Sequence, residues 1–253
     1  MPIQSRRARM VLAIALMTGL FVPSANAQPV EDAIADTTRL ERHRERDGSR
    51  KPDKILELSG VGVGDAVLDI ASFGGYYTAL LSRVVGPDGK VFAVDSGLAI
   101  DALQQFNLGA LTPQFLADDQ RKNVIYSVAA RLDGLAVPEP VDAAFLVLNY
   151  HDTVWLGEDR LKMNRAVFRA LKPGGRYIVV DHNTVESAGF SQVNTIHRIE
   201  SSAVRQEILE AGFELVGEAD FLRNPDDPRD QHIVHPSIRG RTDRFVLVFR
   251  KPV

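Results

Sequence analysis

The chain has no cysteine among its 253 residues. Disulfides therefore play no part in holding it together, even in an oxidising compartment, and a lipid anchor on a cysteine is excluded. Long apolar runs are nearly as scarce. Met10 to Val22 is too short for an ordinary membrane span, and no second run approaches that length. A basic surplus is also missing, because 30 Lys and Arg face 33 Asp and Glu. That balance argues against nucleic acid as a partner, which calls for a basic face. Repeats and low-complexity segments are absent.

What is present begins with a targeting pattern. Arg6, Arg7 and Arg9 precede the apolar run, and Ala25-Asn26-Ala27 supplies a small-x-small cleavage site before Gln28. Residues 1–27 are therefore expected to be a signal peptide, with no stable membrane anchor once it is cleaved. Ser5-Arg6-Arg7 also matches the start of a twin-arginine signal, though Arg9 stands where an apolar residue belongs. Cleavage would remove three Arg and no acid, leaving 27 basic and 33 acidic residues and a net charge of −6. The expected location is periplasmic or extracellular.

Residues 28–51 read as a charged helical extension, a solvated helix with little to bury that breaks at Asp47-Gly48-Ser49. From Pro52 onward, apolar strands alternate with helical segments. Strands are expected at 66–71, 90–95, 123–128, 141–149, 176–181, within 213–221, and at 244–250. Helices are expected at 52–58, 76–85, 100–105, 159–171 and 194–211. Strands alternating with helices predict an α/β fold with a doubly wound, mostly parallel sheet. The final two strands lack a helix between them, which predicts an antiparallel hairpin at one edge. Residues 52–253 thus form one domain of ample length for a single core.

In such sheets a ligand sits beyond the carboxyl ends of the strands. The first strand ends Asp69-Ile70-Ala71-Ser72-Phe73-Gly74-Gly75-Tyr76. Glycines at a strand–turn–helix junction let backbone approach a ligand closely. The second strand ends in Asp95, an acid placed to accept hydrogen bonds from two ribose hydroxyls.

The segment VLDIASFGGYYTALLSRVVGPDGKVFAVD resembles the glycine motif and acidic second-strand motif of the class I S-adenosylmethionine-dependent methyltransferases. LKPGGRYIVVD resembles the lead into their fifth strand. NYHD, VVDH, LRNP and IRGRTDRFVLVFRKP are similar to a bacterial group of predicted, exported methyltransferases. The resemblance runs from about Pro52 to the C-terminus. It implies a seven-stranded Rossmann-like methyltransferase sheet with its last strand antiparallel. It implies S-adenosylmethionine as cofactor, held by Asp69, Ala71, Gly74, Gly75, Tyr76, Asp95 and Asn149, and a small-molecule acceptor.

The motif departs from its usual acid followed by Gly-x-Gly-x-Gly. Ala71, Phe73 and Gly75 occupy the glycine positions. Phe disfavours positive φ, so either the loop takes another path or donor binding is weakened. The acid expected after the third strand has Asp133 as a late candidate. At the other strand ends stand Asn149-Tyr150-His151-Asp152 and Asp181-His182-Asn183, with His197 and Arg198 on the following helix. His151 is the expected base, because an imidazole titrates near neutral pH, with Asp152 placed either to orient it or to bind an acceptor cation. His182 is a further catalytic candidate, and Asn149 and Asp181 can also serve as turn caps. Two rival readings share the fold. One is a non-catalytic ligand-binding protein, favoured by the altered motif and by export away from the cytosolic donor. The other is a metal-dependent activity on the His/Asp cluster, although no short H-x-x-x-H or H-E-x-x-H pattern supports a metal.

Overall fold

A computed structural model describes residues 27–105 and 121–253. The predicted signal peptide thus falls almost wholly outside the described residues, as does the irregular stretch after Gln105. Seven strands form one sheet: β1 (Ala66–Ile70), β2 (Lys90–Ser96), β3 (Val124–Ala129), β4 (Val141–Val147), β5 (Leu171–His182), β6 (Glu214–Ala219) and β7 (Arg244–Arg250). Their order is β3-β2-β1-β4-β5-β7-β6. The first five pair in parallel, and β7 runs antiparallel between β5 and β6. This is the doubly wound, Rossmann-like sheet with an antiparallel edge hairpin that the alternation predicts.

Ten helices accompany it among the described residues: α1 (Ala27–Ala35), α2 (Glu41–Arg44), α3 (Asp47–Arg50), α4 (Pro52–Ser59), α5 (Tyr76–Val85), α6 (Gly97–Gln105), α7 (Tyr150–Trp155), α8 (Arg160–Ala170), α9 (Val193–Ile196) and α10 (Ser201–Glu210). The central strands are apolar on both faces because both faces are covered. Alternate residues such as Val67, Phe145 and Ile178 meet Leu80 and Leu81 of α5 and Ile55 and Leu56 of α4. Their neighbours Leu68, Leu146 and Val179 meet Met163 and Val167 of α8 and Val204 and Ile208 of α10. No described helix is long and apolar enough to cross a membrane.

Three expectations change. The extension is not a solvated helix. Val30 and Ala33 are buried beneath α1, which lies on α5 and α4. Arg39 is only 2 % exposed because Asp47 neutralises it at 2.7 Å. Asp47 starts a helix rather than ending one. The segment 194–211 is not a single helix, since α9 stops at His197, whose φ is +53°, and α10 begins at Ser201. Between them Ile199 bridges Asn183, and Arg198 is drawn inward to Asp227 at 2.7 Å, with both side chains fully buried. Finally, Lys172 to Gly175 belongs to β5 instead of a helix-terminating turn.

Candidate functional site

The carboxyl ends of β1, β2, β4 and β5 share one edge of the sheet. After β1 the chain turns through Ala71 (φ +56°), Phe73 (φ +39°) and Gly75 (φ +74°) before entering α5. All three glycine positions thus adopt left-handed conformations that favour glycine. The turn holds left-handed backbone even at the two positions where glycine is replaced. Gly74 is not in that region. A Cβ there would meet only His43 Nε2 at 3.9 Å, an ordinary contact.

Asp95 lies behind this turn and is 1 % exposed. Its Oδ1 accepts the Phe73 N–H at 2.9 Å and the Ser72 hydroxyl at 3.1 Å, and its Oδ2 accepts the Tyr126 hydroxyl at 3.0 Å. Burial pushes its carboxyl above the usual range, against the pull of those hydrogen bonds. Asp69 is buried as well and accepts the Thr78 hydroxyl at 2.5 Å. Burial, countered by Thr78 and reinforced by Asp95, raises it to about 7.

In front of the turn opens a cleft of about 340 Å³, within the range of small-molecule sites. Ala71, Phe73, Gly74 and Asn149 form its floor, and Arg42, His43, Arg46 and Arg50 face them from the N-terminal extension. The three arginines recur every four residues, from α2 through the turn after it to the end of α3. The buried His43 Nδ1 has no hydrogen-bond partner. An unsatisfied buried polar atom beside three cations suits a ligand carrying a carboxylate. Tyr76, expected at the cofactor, lines the cleft, donates its hydroxyl to Asp47 at 2.6 Å and lies beneath the Arg50 guanidinium. It clamps the extension that carries the arginines. Asn149 joins β4 to the floor, donating to Val147 O at 2.8 Å and Ala71 O at 3.4 Å. Asp133 sits in a 3-10 turn, Leu132–Gly134, and pairs with Arg131 at 3.6 Å.

Beyond Asn149 the strand end folds into α7. His151 and Asp152 occupy its first turn. Asp181, at the end of β5 and fully buried, holds His151 twice. Its Oδ2 accepts the His151 backbone N–H at 2.7 Å, and its Oδ1 lies 2.7 Å from the ring Nδ1. Asp181 Oδ1 also accepts the His182 N–H at 2.7 Å. Burial works to lower the His151 pKa, but the Asp181 and Asp152 carboxylates outweigh it and raise it to about 9. The two carboxylates thus favour the protonated ring over the neutral one. The orienting carboxylate is Asp181 rather than Asp152. His182 turns to Thr242, with its Nδ1 2.7 Å from the hydroxyl. Burial, then His151 and Arg244, push its pKa well below the ordinary range. It stays neutral, edge-on to His151 at 5.6 Å.

His197 reaches this mouth from the break between α9 and α10. Its ring lies 5.6 Å from that of His151, 5.9 Å from that of Trp155 and 4.7 Å from that of His232. The part played by Asp181, the approach of His232 and the arginine wall all escape the sequence reading. Of these, only the four-residue arginine spacing leaves a local signal.

Residues 52–211, well over half of the chain, match the family described as protein-L-isoaspartate(D-aspartate) O-methyltransferase (PCMT). Among curated proteins, the chain is 34 % identical over 130 residues to a ubiquinone/menaquinone biosynthesis C-methyltransferase, UbiE, of Pasteurella multocida, covering 50 % of this chain and 43 % of that protein. It is 30 % identical over 139 residues to the UbiE of a Marinomonas species, covering 54 % and 51 %. The chain thus spans about half the length of these curated relatives. Among solved structures, an S-adenosylmethionine-dependent methyltransferase from Aquifex aeolicus superposes with a TM-score of 0.51 at 20 % identity, covering 81 % of this chain and 97 % of that one. The [4+2]-cyclase SpnF superposes with a TM-score of 0.56 at 17 % identity, covering 90 % and 93 %. At such identities these two likenesses speak to the fold.

Proposed function

The chain belongs to the protein-L-isoaspartate(D-aspartate) O-methyltransferase family, within the class I S-adenosylmethionine-dependent methyltransferases, and on that premise we propose that it transfers a methyl group to a small acceptor bound in the histidine-lined mouth. The observation that carries this reading is the turn after β1. Ala71 and Phe73 adopt left-handed backbone that favours glycine, which supports a donor floor at this turn. S-adenosylmethionine would supply the methyl group by displacement from its sulfonium. Its carboxylate would face Arg42, Arg46 and Arg50 across Gly74, and Asp95 would take the ribose hydroxyls once Ser72 and Tyr126 release it. Asn149 would border the donor, with α7 carrying the acceptor side. Alignment of donor and acceptor is the main contribution such a site makes. The UbiE similarity favours a ring-bearing, quinone-related acceptor, and the aromatic lining from His197 and Trp155 is in keeping with one.

Calorimetric titration of the purified protein with S-adenosylmethionine and S-adenosylhomocysteine tests this reading. Binding that is lost in Asp95→Asn supports it, and a folded protein that binds neither compound refutes it. Export follows from the leader pattern at residues 1–27 and is part of the same proposal. Mass spectrometry of the protein recovered from outside the cytoplasm would find Gln28 at its N-terminus. An intact N-terminus on protein confined to the cytoplasm would contradict export.

A further inference from the structure

We infer that His151, Asp152 and His197 form a binding site for one divalent first-row transition-metal ion of the zinc class. One donor atom from each of the three lies within 4.8 Å of the other two. Asp152 Oδ1 is 3.4 Å from His151 Nε2 and 3.7 Å from His197 Nδ1. Ligands at zinc-like bond lengths of ~2.0–2.1 Å in a tetrahedron stand about 3.3 Å apart. Both distances to Asp152 are thus within a few tenths of an ångström of that spacing, and the two imidazoles would close on an ion from at most 4.8 Å apart.

Three further features belong to a metal site and are not required of a chance ion pair. The remaining ring nitrogen of His151, Nδ1, is tied to the fully buried Asp181 at 2.7 Å. Carboxylates bound in this way fix the tautomer and aim of ligating histidines, and an ion arriving at Nε2 would displace the proton held there. Asp181 is itself anchored by the His151 and His182 amides, so the support is rigid. His197 occupies a left-handed conformation, uncommon for residues other than glycine, at the point where the helix breaks, and its ring stands edge-on to His151 at 5.6 Å. The break is fastened by the buried Arg198–Asp227 pair, so the strained position is held from behind. Two imidazoles and one carboxylate suit zinc, iron(II), manganese(II) or cobalt(II) over magnesium or calcium, which prefer all-oxygen sets. Three protein ligands leave open positions toward the mouth, where an oxygen of a small molecule could coordinate. No short sequence motif marks the site because its ligands come from α7 and from the α9–α10 break, 45 residues apart in the chain.

This inference stands apart from methyl transfer, so the test uses metal uptake alone. Untagged full-chain protein is stripped with chelator and titrated with zinc chloride and cobalt(II) chloride, following calorimetry and visible absorption. The expected result is one equivalent of each ion, with a ligand-field spectrum for cobalt. Affinity should fall by about 100-fold or more in Asp152→Ala and His197→Ala, and by about 10–100-fold in Asp181→Asn. The exposed-residue control His235→Ala should bind as the unaltered chain does. Asp152 and His197 are partly exposed, so both variants are expected to fold, which circular dichroism confirms. Absence of stoichiometric uptake of either ion by the unaltered chain overturns the inference. So does equal binding by folded Asp152→Ala and His197→Ala.

Discussion

Replacing Ala71 with glycine isolates the claim that the turn after β1 keeps a glycine-shaped backbone. Ala71 is 8 % exposed, sits in the core cluster and has φ of +56°. Removing its buried methyl group costs about 0.8 kcal/mol, and the freer unfolded chain costs about 1 kcal/mol more. Relief of left-handed strain returns about 1–2 kcal/mol. The net change should therefore lie between about 0.8 kcal/mol of destabilisation and neutrality. Ala79→Gly is the internal control, because Ala79 is similarly buried at 5 % but lies within α5 with no strain to relieve. It should lose about 1.8 kcal/mol. Urea unfolding of both variants and the unaltered protein, with equal slopes, measures the difference. A gap of about 1–2 kcal/mol in favour of Ala71→Gly is expected. If the two substitutions cost the same, position 71 is not left-handed in solution, and the donor floor inferred from it goes too.

Other substitutions probe the elements that hold the site. Arg198→Ala strips the partner from the fully buried Asp227 and should cost about 3–5 kcal/mol in urea unfolding. Arg250→Ala, which removes a half-exposed cross-strand pair with Glu214, should stay within about 1 kcal/mol. A similar loss from both would contradict the buried clamp. For pH, His43 is the informative group. Burial, then Arg42 and Arg46, hold it at about 4 in the folded protein, against 6.5 as its ordinary value. The unfolded chain takes up the proton first as pH falls. The contribution of the neutral ring is thus fully present above pH 6.5 and is lost as pH falls toward 4. His43→Gln should flatten that part of the stability–pH curve in thermal unfolding, and an unchanged slope would exclude His43 as its source.

The sheet was legible because its strands are covered on both faces and bounded by Gly and Pro turns. Burial on two sides writes continuous apolar runs such as Val141 to Val147 into the chain. The hairpin of β6 and β7 was legible from the missing helix between them. Charged segments misled, for a single physical reason. A row of Arg and Asp reads as solvated, yet Arg39 and Asp47 neutralise each other and Arg39 sinks into the fold. Arg198 does the same with Asp227, and that long-range pairing overrides the helical periodicity of 194–211. Local pattern carries no trace of a partner 29 residues away. The site shows the same division. The Gly74-Gly75 turn and Asp95 were marked by spacing. The hold of Asp181 on His151 emerges only when β4 and β5 lie side by side.

The arginine wall of the cleft has an evolutionary consequence. Arg42, Arg46 and Arg50 precede residue 52, where the family match begins. The family-matched scaffold thus supplies one half of the cleft, and the stretch before residue 52 supplies the other. The two halves can diverge at different rates. A few changes in that short stretch could retune which charged ligand the cleft retains, with the sheet left intact. A domain exchange that carried over residues 52–253 alone would inherit the architecture and lose the positive counterface.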